Sequence, residues 1–207
     1  MIPGMGVSEF LTGMLGASLI EVIASVAGLL CVILVVLRSM WCWPAGLVQV
    51  TLYAWIFFNV KLYSDFGLHI VYIFFQFYGW WNWSHGKLKE NDTEIRILPL
   101  RPKTMVGWAA LSLAGSVCLG ALMGHYTDAS FPYADAFTTV TSLVAQWLLS
   151  RRELMNWVFW IAVDVVAMWV YLQKGLYPTS LLYGIFLILC CVGVVSWLKE
   201  AKAQQTR

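Results

Sequence analysis

Charge is what this sequence has little of. Asp, Glu, Lys and Arg make up 12% of its 207 residues, against about 25% in a typical soluble domain. That shortage argues against a soluble fold and against a nucleic-acid partner. No Lys or Arg precedes Arg38, so the first apolar stretch lacks the positively charged start of a cleavable signal. No CxxC occurs among Cys31, Cys42, Cys118, Cys190 and Cys191. All five lie in or beside apolar runs and read as reduced packing residues. The three histidines, His69, His85 and His125, lack the spacing of metal ligands, so neither a metal nor another cofactor is expected. An enzyme buried in a membrane would need paired catalytic groups at one depth, and no such pair is evident. A membrane-embedded enzyme or sensor is therefore the weaker reading.

What the chain does have is apolar length. It is 60% apolar and contains 12 tryptophans. A membrane span needs about 20 apolar residues, and seven stretches qualify, near 18–37, 42–60, 64–84, 104–124, 132–150, 154–172 and 178–198. The fold class expected is an all-α polytopic membrane protein with seven transmembrane helices. The one sizeable polar segment, HGKLKENDTEIRILPLRPK at 85–103, is too short for a domain, so 1–207 reads as one membrane unit. Seven spans put Arg38, Lys87, Lys89, Arg96, Arg101, Lys103, Arg151, Arg152, Lys199, Lys202 and Arg207 on one side, and only Lys61 and Lys174 on the other. By the positive-inside rule the N-terminus lies outside and the C-terminus in the cytoplasm.

Sliding the chain against itself by 114 residues aligns 19–83 with 133–197 without a gap, with 11 of 65 positions identical. Arg38 meets Arg152, Trp43 meets Trp157, Trp55 meets Trp169, Leu62 meets Leu176, Tyr63 meets Tyr177, Gly79 meets Gly193 and Trp83 meets Trp197, while Glu21 meets Asp135. This predicts two three-helix repeats, 18–84 and 132–198, joined by a connecting helix at 104–124: a 3+1+3 arrangement. An odd connector leaves the repeats parallel, related by an axis along the membrane normal, as in some transporters. A solute site then belongs between them at mid-membrane.

The sixth span, NWVFWIAVDVVAMWVY, carries Asp164 about 15 Å along its axis at 1.5 Å per residue. An acid at that depth costs several kcal/mol and marks a functional site by default. Trp157, Trp160, Asp164, Met168 and Tyr171 share one face of that helix. Asp65, His69, Tyr72 and Gln76 form a stripe on the third helix, and Asp135, Thr139, Ser142 and Gln146 on the fifth. The second helix offers Gln49 and Tyr53, the seventh Thr179 and Tyr183. Of these, Gln49, Tyr53, Gln76, Ser142 and Asp164 reach the middle third of the bilayer. Packing roles compete: tryptophans near helix ends suit the interfacial belt, and Thr139 and Ser142 could bond between helices. No Lys or Arg lies inside any span, so nothing there offsets a phosphate. Aromatic faces and a carboxylate favour cations. The expected guest is a neutral or cationic, ring-containing, unphosphorylated molecule.

The WxxWxxxD pattern in NWVFWIAVD, the segment GLYPTSLLYGIFLILCCVGVVSW after it, and NVKLYSDFGLHIVYIFFQFYGWWNW closing the first repeat together resemble the PnuC family of bacterial vitamin transporters. The likeness covers nearly the whole chain. It implies a nicotinamide riboside transporter in the cell inner membrane, serving NAD salvage as a uniporter. It also implies a homotrimer, and trapping of the solute through phosphorylation by a cytoplasmic kinase. On the resemblance, Trp157, Trp160 and Asp164 would line the site, with Gln49, Gln76, Thr179 and Tyr183 beside them; the helix faces add Tyr53. Asp at 164, where the family pattern takes Asn or Asp, leaves the vitamin open. Thiamine is the alternative guest, and a sugar carrier a more distant one.

Overall fold

A computed structural model describes residues 19–59, 61, 63–85, 95–99, 101–127 and 130–206. Lys87, Lys89 and Arg207 of the charge pattern, and Leu62 of the repeat, lie outside the described residues. Those residues form seven helices: α1 (Leu19–Val36), α2 (Cys42–Asn59), α3 (Tyr63–Ser84), α4 (Pro102–Tyr126), α5 (Pro132–Ser150), α6 (Asn156–Gln173) and α7 (Tyr177–Gln205). Each expected span corresponds to one helix. The largest departure is α7, which continues past the apolar run because Lys199 to Gln205 contains no Gly or Pro to stop it. By length and composition alone, α1, α4, α6 and α7 can cross a membrane. The other three are diluted by polar side chains such as Gln49 on α2, Asp65, His69 and Gln76 on α3, and Thr141, Ser142 and Gln146 on α5. Large apolar residues stand exposed on outward faces, among them Val26, Phe74, Val117 and Ile188.

Local chemistry sets the helix ends. Pro lies in the first turn of α4, α5 and α7, where its missing N–H is no loss. Four connections turn through left-handed backbone, at Arg38 (φ 57°), Lys61 (φ 63°), Arg152 (φ 63°) and Gly175 (φ 71°), the only positive-φ positions among the described residues. At Arg38, Arg152 and Gly175 paired 6→1 and 5→2 bonds close a Schellman motif. The N–H groups of Ser39, Glu153 and Leu176 reach the carbonyls of Leu34, Leu148 and Tyr171. Arg38 and Arg152 are 114 residues apart, as are Lys61 and Gly175.

Neighbouring helices pack in sequence within α1–α2–α3 and within α5–α6–α7, while α3 packs on α5 and α7 on α1. These contacts close six helices into a ring in the order α1, α2, α3, α5, α6, α7. Among the described residues the backbone of α4 comes close to that of α5 alone, so it lies outside the ring. A seam of small residues brings α4 that close: a Cβ on Gly115 would meet Val140, and one on Gly120 would meet Tyr133. Across the ring, the backbones of α2 and α6 do not come into contact among the described residues. The polar faces of these two helices are thus separated by the ring's interior.

Candidate functional site

One end of the ring is filled by tryptophan. Trp43 meets Trp83 edge-on (5.2 Å, 87°), Trp157 meets Trp197 edge-on (5.5 Å, 89°), and Trp83 and Trp197 touch across the ring at 5.9 Å. All four are at most 1% exposed. Trp157, expected to line the site, therefore sits inside this plug, its ring against Gly193, and Trp43 packs on Gly79 in the same way. The plug is bonded across the two halves. Trp83 Nε1 donates to Leu149 O at 3.0 Å, and Trp197 Nε1 donates to Val35 O at 3.1 Å. Beside them Asn82 Nδ2 donates to Ser150 O (2.8 Å) and Ser196 Oγ to Val36 O (3.3 Å). Donors and acceptors alike differ by 114 residues. Arg38 completes this end, donating to Ser196 Oγ (3.0 Å) and pairing with Glu200 (3.4 Å). The indole N–H groups of Trp43 and Trp157 are buried without a hydrogen-bond partner.

Above the plug lie the mid-helix polar groups. Asp164 is 3% exposed, and its Oδ2 accepts a hydrogen bond from the Cys190 thiol at 3.3 Å. Trp160, one turn before it, is partly buried and packs against two core clusters, both of which draw on the N-terminal part of α6. In the first half, Gln49 packs on Gly28 of α1, and the buried Gln76 packs on Gly46 of α2, each glycine being the space the amide occupies. Tyr53 is hydrogen-bonded to Ser25 through its hydroxyl (3.0 Å). Its ring lies 5.7 Å from His69, and Phe57 lies 5.0 Å from the same imidazole. Tyr183 stacks on Tyr171 at 5.3 Å with 17° between planes. It is close enough to interact electrostatically with Asp164, Tyr72 and Tyr53. Thr179 is partly buried at the start of α7, and Ser180 beside it donates to Met168 O at 3.0 Å.

The structure thus brings Asp164, Tyr53 and Tyr183 towards one interior, with Gln49 and Gln76 at the helix contacts that wall it, and seals Trp157 beneath. Ser142, Tyr72 and Cys190 also belong to this layer. Ser142 donates its one proton to Thr139 O at 2.9 Å, so in the Tyr72–Ser142 hydrogen bond the phenol is the donor. That bond joins α3 to α5 well above the plug. Cys190 reads from sequence as a packing residue only. The signal that could have found it is the repeat offset: Cys190 stands 114 residues after Gln76, as Asp164 stands 114 after Val50. At the far end, Lys174 pairs with Asp135 at 3.4 Å.

Comparison with known proteins agrees with this geometry. The family described as nicotinamide mononucleotide transporter matches residues 18–199. The nicotinamide riboside transporter PnuC of Escherichia coli is 28% identical over 216 residues, covering 92% of this chain and 89% of that protein. The PnuC of Neisseria mucosa is 28% identical, covering 87% of this chain and 72% of the other. The riboflavin/roseoflavin transporter RibM of Streptomyces davaonensis is 24% identical, covering 86% and 83%. Among solved structures, the crystal structure of the vitamin B3 transporter PnuC is similar with a TM-score of 0.76 and 26% identity, covering 96% of this chain and 88% of that one. A six-helix ring with polar and aromatic side chains and a family match over residues 18–199 lead to one conclusion: the chain is a multi-pass membrane transporter, not an enzyme, and belongs to the nicotinamide mononucleotide transporter family.

Proposed function

We propose that this transporter carries nicotinamide riboside down its gradient by alternating access. The observation that carries the reading is the composition of the ring interior. It offers tyrosine and tryptophan faces, two glutamines and the buried Asp164, with no Lys or Arg in the middle of any helix. A pyridinium nucleoside fits that chemistry: the ring stacks on aromatic faces, the amides and Thr179 take the ribose hydroxyls, and the carboxylate offsets the charge. A phosphate on the solute would be buried without a cation to pair it, at a cost of several kcal/mol. The riboside, named for the Escherichia coli and Neisseria mucosa relatives, therefore suits this interior better than the mononucleotide of the family description.

The same reading takes α1–α3 and α5–α7 as parallel repeats joined by α4, within a single domain. The left-handed caps and cross-ring bonds that recur 114 residues apart support it. The end bearing Arg38 and Arg152 is then cytoplasmic, the N-terminus outside, and the membrane the bacterial inner membrane. A homotrimer and a cytoplasmic kinase that phosphorylates the riboside and prevents its return complete the scheme. A second reading keeps the mechanism and changes the vitamin. The RibM relative is named for riboflavin, an uncharged ring system that needs no carboxylate, and thiamine is a further cationic aromatic. Calorimetric titration of the purified protein with nicotinamide riboside, nicotinamide mononucleotide, thiamine and riboflavin tests the assignment. Binding of the riboside alone is expected; selective binding of another solute would move the physiology to that vitamin.

A further inference from the structure

We propose that residues 95–99 are a latch that closes the tryptophan-plugged end of the ring and undocks in each transport cycle, an inference that rests on the transport reading above. The segment lies outside every helix, yet among the described residues four hydrogen bonds hold it. Leu98 N–H donates to Arg152 O (2.9 Å) and Leu98 O accepts from Leu154 N–H (3.1 Å), forming an isolated parallel bridge to Glu153. The Gln204 side chain clamps the other edge. Its Oε1 accepts from Ile97 N–H and its Nε2 donates to Ile95 O, both at 3.0 Å. Gln204 can do this only because α7 continues well past its apolar run. Ile95 and Ile97, each 4% exposed, join the core cluster of Trp43, Trp83, Trp157 and Trp197, so the segment covers the plug from outside.

One feature opposes this docked state. Beneath the segment, the Trp43 and Trp157 indoles remain buried without acceptors, an arrangement that water entering on opening would relieve. A short segment held by a few exchangeable hydrogen bonds over unpaired donors is suited to release. A permanent brace would not need to leave those donors unpaired.

The test uses the full-length protein with the exposed Cys118 and Cys191 replaced by Ser and with Leu98→Cys and Glu153→Cys added. Bridged partners lie about 4.8 Å apart, within disulfide reach. After oxidation, uptake of nicotinamide riboside into liposomes should fall at least tenfold and return on reduction, while its affinity in detergent changes less than twofold. A cross-linked protein that transports normally, a pair that does not cross-link, or a cross-link that abolishes binding would each overturn the latch. A solute-independent readout is Gln204→Ala, which should raise the labelling rate of the buried Cys42 by a water-soluble maleimide at least threefold; an unchanged rate refutes the proposal. If the reduced protein fails to carry the riboside, the functional reading fails instead. The cross-link is then read with whichever of thiamine or riboflavin the protein carries.

Discussion

Asp164 receives the Cys190 thiol and lies within electrostatic range of Tyr183. If it interacts with the solute's positive charge, Asp164→Ala should weaken riboside binding at least tenfold, a loss of about 1.4 kcal/mol, with the helical circular-dichroism spectrum unchanged. Unaltered affinity in the titration would assign the carboxylate to helix packing. The glycines under the plug give a separate stability prediction. A methyl at Gly79 or Gly193 would land on the Trp43 or Trp157 ring. Because packed indoles cannot yield without breaking the plug, Gly193→Ala should cost about 1–3 kcal/mol, seen as a lower melting temperature in detergent. Gly175 differs: nothing lies within 4 Å of an added Cβ, and only its φ of 71° resists a side chain. There Ala should cost only about 1 kcal/mol of backbone strain.

At the level of helices, the plug is fastened by bonds that cross between α3 and α5 and between α7 and α1. Removing the indole donors while keeping aromatic rings, as in Trp83→Phe with Trp197→Phe, should cost about 1 kcal/mol per bond. The two losses should be similar, since each bond has the other as its counterpart 114 residues away. Thermal unfolding of the single and double variants checks this, and a large loss from one alone would show that the two sides are not equivalent. Helix positions were legible in the sequence because long apolar runs bounded by Pro and polar turns leave little choice of register. The continuation of α7 was not, since Lys199 to Gln205 reads by hydropathy as a polar tail. The helix nevertheless runs on to Gln205, where the Gln204 side chain holds the strap.

For the whole molecule, one mouth is closed by four tryptophans and a strap, whereas the far end is lined by tyrosines and the Lys174–Asp135 pair. Riboside uptake into liposomes should proceed on the solute gradient alone. A protonophore or removal of sodium should leave the initial rate unchanged, and collapse of uptake in either case would mean ion coupling. Among the described residues the outer helix α4 packs chiefly on α5, so it is expected to travel with the second half as one body rather than act as a free hinge.

The number and placement of the helices, the charge asymmetry and the 114-residue correspondence can all be read along the chain. Each of these follows from local composition or from residue identity along one chain. The sequence also singled out Asp164, because a lone acid deep in an apolar helix is conspicuous wherever its partners lie. Only the tertiary structure decided what each side chain meets. Hydropathy cannot distinguish a tryptophan that lines an interior from one that seals it, and Trp157 turns out to be packed in the plug while Trp160 stands a turn above. Nor could it reveal that Cys190, an unremarkable apolar-run cysteine, meets Asp164, or that Ile95 and Ile97 of the polar linker reach the core. Those contacts join residues of different helices and loops, and ring closure, not sequence spacing, brings them together.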